Sequence, residues 1–204
     1  MSATAAEAED QGRRRGRGRG ARERILTAAA RLFATQGINA TGMEQVAEAA
    51  PVSKRTLYAH FRTKNDLVIA HLRGLAASGA TLEAVLTRED IPPMERLLGL
   101  FDQPAPEAEP VRGCPFIDAA AEFPDPESAV HSYAREQKLR MAQLVTALVT
   151  ELGCREPATL AEQLVTLADG AASRAMVLDE ADYGRHARKA AQTLLAHALP
   201  TGTA

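Results

Sequence analysis

The 204-residue chain has no tryptophan, two cysteines and only 4% aromatic residues. Each scarcity removes a class of function. With five Phe, three Tyr and no Trp, there is too little material for a stacked aromatic cage around a cationic ligand. Cys114 and Cys154 lie far apart and lack the CxxC spacing or paired histidines of a zinc site. They read as free thiols of a reducing compartment, and neither a metal nor a cofactor is expected. Nothing supplies the ~18 consecutive apolar residues of a membrane span, and no apolar core of a secretory signal follows the basic N-terminal stretch. The expectation is a cytoplasmic protein without a membrane partner. Period-two alternation is missing as well, which leaves an all-α chain with helical periodicity throughout.

The near-neutral net charge of −2 hides an uneven division. Through residue 70 there are 12 Lys and Arg against 7 Asp and Glu; from residue 71 onward there are 12 against 19. A basic N-terminal part and an acidic remainder suit a chain that turns one end toward a polyanion. The first twenty residues stand apart. Arg13, Arg14, Arg15, Arg17 and Arg19 are interspersed with Gly in a segment with no apolar residue able to hold a core, so residues 1–20 are expected to be a disordered arm. Such an arm either lays its arginines on phosphates or in a minor groove, as homeodomain arms do, or is a solvated leader.

Residues 41–67 carry the most information. Thr41 and Glu44 have the spacing of a capping box, and Met43, Val46, Ala47 and Ala50 follow as an apolar stripe. Pro51 blocks continuation of that helix, and Ser53 restarts the chain as the N-cap of a second helix, Lys54 to Phe61. Leu57 and Phe61 supply apolar cover for the stripe. Lys54, Arg55, Thr56, Tyr58 and His60 are left on the outer face, all of them hydrogen-bond donors. A solvated charged face would need only the Lys-Arg pair. Two caps, a turn, a shared apolar seam and a donor-rich face together match a helix-turn-helix whose second helix enters the major groove of double-stranded DNA.

At these residues the chain resembles the N-terminal domain of the tetracycline-repressor (TetR) family of bacterial transcription regulators. The resemblance rests on Ile25, Ala29, Leu32, Phe33 and Gly37, on Val46 and Ala47, on Val52-Ser53-Lys54 with Thr56-Leu57-Tyr58-Ala59-His60-Phe61, and on Lys64 with Leu67. It implies a three-helix DNA-binding domain over residues 21–70, a helical effector-binding and dimerisation domain over 71–204, a homodimer, and operator DNA and a small-molecule effector as partners. It also implies phosphate contacts from Tyr58, His60 and Lys64; the cap residues Thr41 and Ser53 complete the expected DNA-contact set. Two positions depart from the pattern. Pro51 stands in a turn where Gly is common, and its ring should hold φ near −65°, so that the turn closes differently. Arg55 stands where Gly is common at the start of the recognition helix, and its forked donors suit guanine O6 and N7.

Beyond residue 70 Pro clusters punctuate a helical pattern. Thr63 caps a helix that starts at Lys64 and is expected to run into the middle of the eighties. Short helices follow at Met94 to Phe101 and from the Gly113-Cys114-Pro115 turn to Phe123. Three long helices are read from the stripes Met141 to Leu152, Leu160 to Ala175 and Ala187 to Ala198. The last two are rich in Ala and Gly, which suits close helix packing either within the chain or across a two-fold seam.

An apolar pocket with a few polar groups is the usual form of an effector site. Phe116, Phe123, Tyr133, Met141 and Leu144 are candidates to line it, with Cys114, Asp118 and Gln137 as polar contacts; each also reads as a core residue or loop anchor. Cys114 carries an alternative. At the start of a short helix the dipole would favour its thiolate, giving a redox- or electrophile-sensing regulator. A hydrolase using Cys114 and His131 would need an orienting acid and an oxyanion site that no local pattern supplies, so no catalytic residues and no enzyme are expected.

Overall fold

The computed structural model describes the backbone of residues 5–79, 81–102, 113–178 and 182–200, with side chains from residue 20 onward. Among these residues every regular element is an α-helix, in agreement with the all-α expectation. The chain divides into two compact units, 1–71 and 72–204.

The first unit contains α1 (Ala5–Gln36), α2 (Met43–Ala49), α3 (Lys54–His60) and the first half of α4 (Lys64–Ala77). Ala21, Ile25, Ala28, Ala29, Leu32 and Phe33 recur at helical spacing on α1 and are all buried. Val46 and Ala47 from α2, Leu57 from α3, Phe61, Leu67 and Val68 close the same core. Arg22 lies over the Phe61 ring, 5.5 Å from its centroid, covering the core edge with its stem. The backbone of the Arg/Gly segment continues α1 where composition leads one to expect no order. Extending a helix already held by packing avoids the cost of nucleating one.

Three local expectations are corrected. Thr41 does not cap α2. Its side chain is buried and donates to the Gly37 carbonyl at 2.8 Å, tying the end of α1 to the turn. The helix therefore starts one residue later, with Gln45 rather than Glu44 reaching back, its side-chain oxygen accepting from the Gly42 N–H at 2.7 Å. Pro51 does not keep the φ its ring favours. Its φ is 25°, in the turn where the Val52 N–H reaches the Ala47 carbonyl at 3.0 Å. Finally, α4 does not run into the eighties. It stops at Ala77, and Gly79 at φ 74° takes the left-handed conformation that ends a helix. The caps read at Ser53 and Thr63 are present: the Thr56 N–H donates to Ser53 Oγ at 3.1 Å, and the Asp66 N–H to Thr63 Oγ1 at 3.1 Å.

The second unit comprises α5 (Leu82–Leu86), α6 (Pro93–Gly99), α7 (Pro115–Glu122), α8 (Ala129–Glu151), α9 (Pro157–Leu178) and α10 (Tyr183–Ala198). The last three are the long helices read from the stripes. Val145, Leu148 and Val149 of α8 meet Leu160, Leu164 and Ala168 of α9 and Ala191 and Leu195 of α10 in one core, with Leu86, Leu97 and Phe101 alongside. Gly153, at φ 70°, closes α8 so that α9 can return along it, and the Arg155 N–H donates to the Ala198 carbonyl at 2.8 Å. The small residues behave in two ways. Ala168, Ala187 and Ala191 are buried within the chain, whereas Gly170 is exposed and a methyl group added there would touch nothing within 4 Å.

Candidate nucleic-acid interface

Helix α3 is short, and Leu57, with Phe61 just beyond its end, anchors it to the core. The other side chains are thereby presented as a set. Arg55 is exposed and makes no hydrogen bond or ion pair with a described residue. Tyr58 is 46% exposed, and His60 is half-buried beside the Phe61 ring. Ser53 Oγ and Thr56 Oγ1 are bonded to each other at 2.8 Å, so part of their capacity is spent on the cap. The Lys54 ammonium pairs with the Glu44 carboxylate of α2, which raises the lysine's affinity for its proton. Lys64, half-buried, donates to the Asn39 carbonyl at 3.0 Å and so ties α4 to the turn after α1.

The structure thus gathers Ser53, Lys54, Arg55, Thr56, Tyr58 and His60 on one element. It removes Thr41 from the set, because a buried hydroxyl committed to Gly37 cannot reach a phosphate. The side chains of Arg13, Arg14, Arg15, Arg17 and Arg19 lie outside the described residues. Sequence reasoning missed the partner of Lys54: Glu44 was assigned to a cap, and no local spacing indicates a pairing ten residues away.

In the second unit Cys114 occupies the N-cap position of α7, with the Asp118 N–H donating to its carbonyl at 3.0 Å. Burial outweighs the helix start and the Lys138 charge and pushes the Cys114 thiol up, away from the thiolate that the sequence suggested. Phe116 is buried and stands edge-on to Tyr133 at 6.5 Å, while the Arg73 guanidinium lies over the other ring at 5.5 Å. Phe123 has its carbonyl bonded to His131 Nδ1 at 2.8 Å and serves as a loop anchor. Met141 is buried; Gln137 and Leu144 are partly so.

Two charged residues that went unread sit among these. Lys138 of α8 pairs with Asp169 of α9, their side chains only 22% and 26% exposed, and Lys138 Nζ also approaches Met141 Sδ at 3.6 Å. Asp169 had a signal of a kind, as a lone carboxylate between Leu167-Ala168 and Gly170-Ala171. Gly113 lies close to Met176 of α9 and to Asp118: a methyl group there would come within 3.2 and 3.3 Å of them. No group of three or more metal-ligating side chains occurs among the described residues. None of the described helices is long and apolar enough to cross a membrane.

A capped, core-anchored α3 with its donors outward, preceded by α2 and a tight turn, defines a helix-turn-helix DNA-binding regulator with a separate helical body. The sequence pattern of the bacterial regulatory proteins of the tetR family matches residues 25–71. Over 159 residues the chain is 29% identical to the HTH-type transcriptional regulator YjdC of Escherichia coli, covering 76% of this chain and 83% of that protein. It is 34% identical to the HTH-type transcriptional repressor KstR2 of Mycobacterium tuberculosis over 80 residues, 39% of this chain and 40% of the other. The solved structure of a TetR regulator from Streptomyces avermitilis superposes with a TM-score of 0.75 at 30% identity, over 87% of this chain and 97% of that one. The chain belongs to the TetR family of transcriptional regulators.

Proposed function

We propose that this regulator is a homodimeric repressor that binds operator DNA through α3 and releases it when a small molecule enters the second unit. The observation that carries the effector reading is the Lys138–Asp169 pair. Two half-buried charges paired between α8 and α9 are a weak source of stability, because desolvation offsets their attraction. They are suited instead to recognising a polar group on a ligand whose remainder contacts Phe116, Tyr133, Met141 and Leu144. Cys114, Asp118 and Gln137 add further polar atoms. Repression is favoured by the likeness to KstR2, which is named a repressor.

The mechanism follows from spacing. Two recognition helices of a dimer must sit ~34–36 Å apart, or a multiple of that, to occupy successive major grooves. Helix α4 runs without a break from Lys64 to Ala77 through the division between the units, so a shift in the body that moves α4 changes that separation. The dimer seam is assigned to α9 and α10, where Gly170 is open and Val177 and Leu178 are exposed.

The test combines binding and chemistry. Compounds that raise the melting temperature of the free chain should lower its affinity for operator DNA, since a ligand that favours the DNA-free state must be disfavoured by DNA. Lys138→Met and Asp169→Asn should lose that response. The thiol-sensing alternative makes the opposite forecast: peroxide releases DNA, Cys114→Ser abolishes the release and Cys154→Ser spares it. That pattern, with no stabilising ligand found, would replace the proposal.

A further inference from the structure

Every cation on a DNA-facing helix adds to sequence-independent attraction, because each neutralised phosphate releases counterions whatever the bases are. A regulator needs part of that attraction restrained, since random DNA competes with the operator at every position of a genome. Helix α3 begins with two adjacent cations, Lys54 and Arg55, and the structure treats them differently. Arg55 is exposed and has no hydrogen-bond or ion-pair partner among the described residues. Lys54 is held by Glu44, a residue of the neighbouring helix α2, and the two side chains remain 63% and 66% exposed, so the pair sits on the surface beside the donors of α3.

Glu44 stands in the first turn of α2, where its charge suits the helix dipole, but among the described residues its hydrogen-bond partner is Lys54. The capping role its spacing suggests is filled by Gln45, whose side chain accepts from the Gly42 N–H. It contributes nothing to the core, which Val46 and Ala47 supply from the same helix. An exposed ion pair of this kind adds little to stability. What remains is its effect on an approaching polyanion. A phosphate that seeks Lys54 must displace a carboxylate already bound there and then remain close to it, like charge against like charge. Arg55 has no such obstacle, and base-edge contacts depend on its reach rather than on the count of free cations.

We propose that Glu44 is a specificity-determining residue of the DNA-binding unit: by holding Lys54 it restrains sequence-independent binding and leaves discrimination to Arg55 and its neighbours. Complexes with random DNA, which depend on phosphate attraction alone, bear the whole of this restraint. A complex with the preferred site is held in one register by base contacts, with Lys54 kept on Glu44 and no phosphate set against the carboxylate, and so bears less of this restraint in absolute terms.

The experiment uses the full chain, a random-sequence duplex, and the site that the wild type itself enriches from a random pool. Glu44→Gln keeps the shape and removes the charge. Binding to the random duplex should tighten roughly five-fold near 0.1 M salt, the size of one close charge–charge contact in water, and the slope of log affinity against log salt should steepen by about 0.9. The enriched site should gain less, so that the ratio of the two affinities narrows. Lys54→Gln should weaken random binding, and adding Glu44→Gln to it should restore less than Glu44→Gln gains alone. Glu44→Ala should reproduce Glu44→Gln in binding, and both should melt within about 4 °C of the wild type, the loss of one first-turn charge. Unchanged random binding in Glu44→Gln, a gain that persists in full without Lys54, or an equal gain on the enriched site would each overturn the proposal. Wild-type binding to the random duplex at low salt is the control that separates such a failure from a failure of the DNA-binding reading.

Discussion

Two glycines in the body unit should respond in opposite directions to the same substitution. At Gly184, in the first turn of α10, a methyl group would lie 2.1 Å from the Phe101 carbonyl oxygen and 3.1 Å from its carbon. Both atoms are backbone, and Phe101 is itself buried, so no side-chain tip can swing aside. The contact is also one of a set, because Arg188 donates to the Leu98 carbonyl at 3.0 Å and pairs with Asp102, clasping α10 to the end of α6. Relief must come from moving one helix off the other. Overpacking of this kind costs ~2–3 kcal/mol, less up to ~1 kcal/mol returned by the better helix propensity of Ala, for a net loss of ~1–2 kcal/mol. At about 3 °C per kcal/mol, Gly184→Ala should melt ~3–6 °C below the parent. Gly74→Ala, in α4, meets nothing within 4 Å and keeps only the propensity gain, so it should melt ~2–3 °C higher. Calorimetry or circular dichroism on the two variants side by side is the assay. A Gly184→Ala protein as stable as the parent would show that α10 and α6 do not approach as closely as described.

Arg55→Ala should cost ~1–3 kcal/mol at one guanine and relax preference there, so an unchanged sequence logo from a selection experiment would refute its role as a base reader. Deleting residues 1–20 removes five arginines; affinity for operator and random DNA should both fall and salt dependence should flatten, whereas unaltered affinity at low salt would make the segment a solvated leader. His71, edge-on to Phe33 at 5.4 Å, is held below the ordinary histidine value of 6.5 by burial. Its folded state binds the proton less readily than the unfolded chain, so its contribution to stability is intact above pH 6.5 and is lost as the pH falls through the lower folded value. His71→Phe should reduce the loss of stability on mild acidification, and parallel pH curves for the two proteins would contradict the assignment.

The sequence by itself determined the features that depend on neighbours within a turn or two. Ser53 and Thr63 were legible as caps because a cap and its amide are three residues apart, and the stripes of α8, α9 and α10 because burial of one face repeats at helical spacing. Their order and the donor-rich face of α3 were enough to indicate a DNA reader. Tertiary structure decided whatever required two elements to meet. Thr41 and Glu44 had the spacing of a capping box, yet Thr41 turned inward to Gly37 and Glu44 crossed to Lys54, leaving Gln45 to close the helix start. Pro51 lies at φ 25° in the turn between α2 and α3, which both pack on α1, a value its own ring would not indicate. Lys138 and Asp169, 31 residues apart, became a pair only when α8 and α9 were laid together, and Gly184 became indispensable only when α10 reached the Phe101 carbonyl. Caps and periodicity are written in local spacing, whereas a side chain's partner on another helix is chosen by how the helices pack.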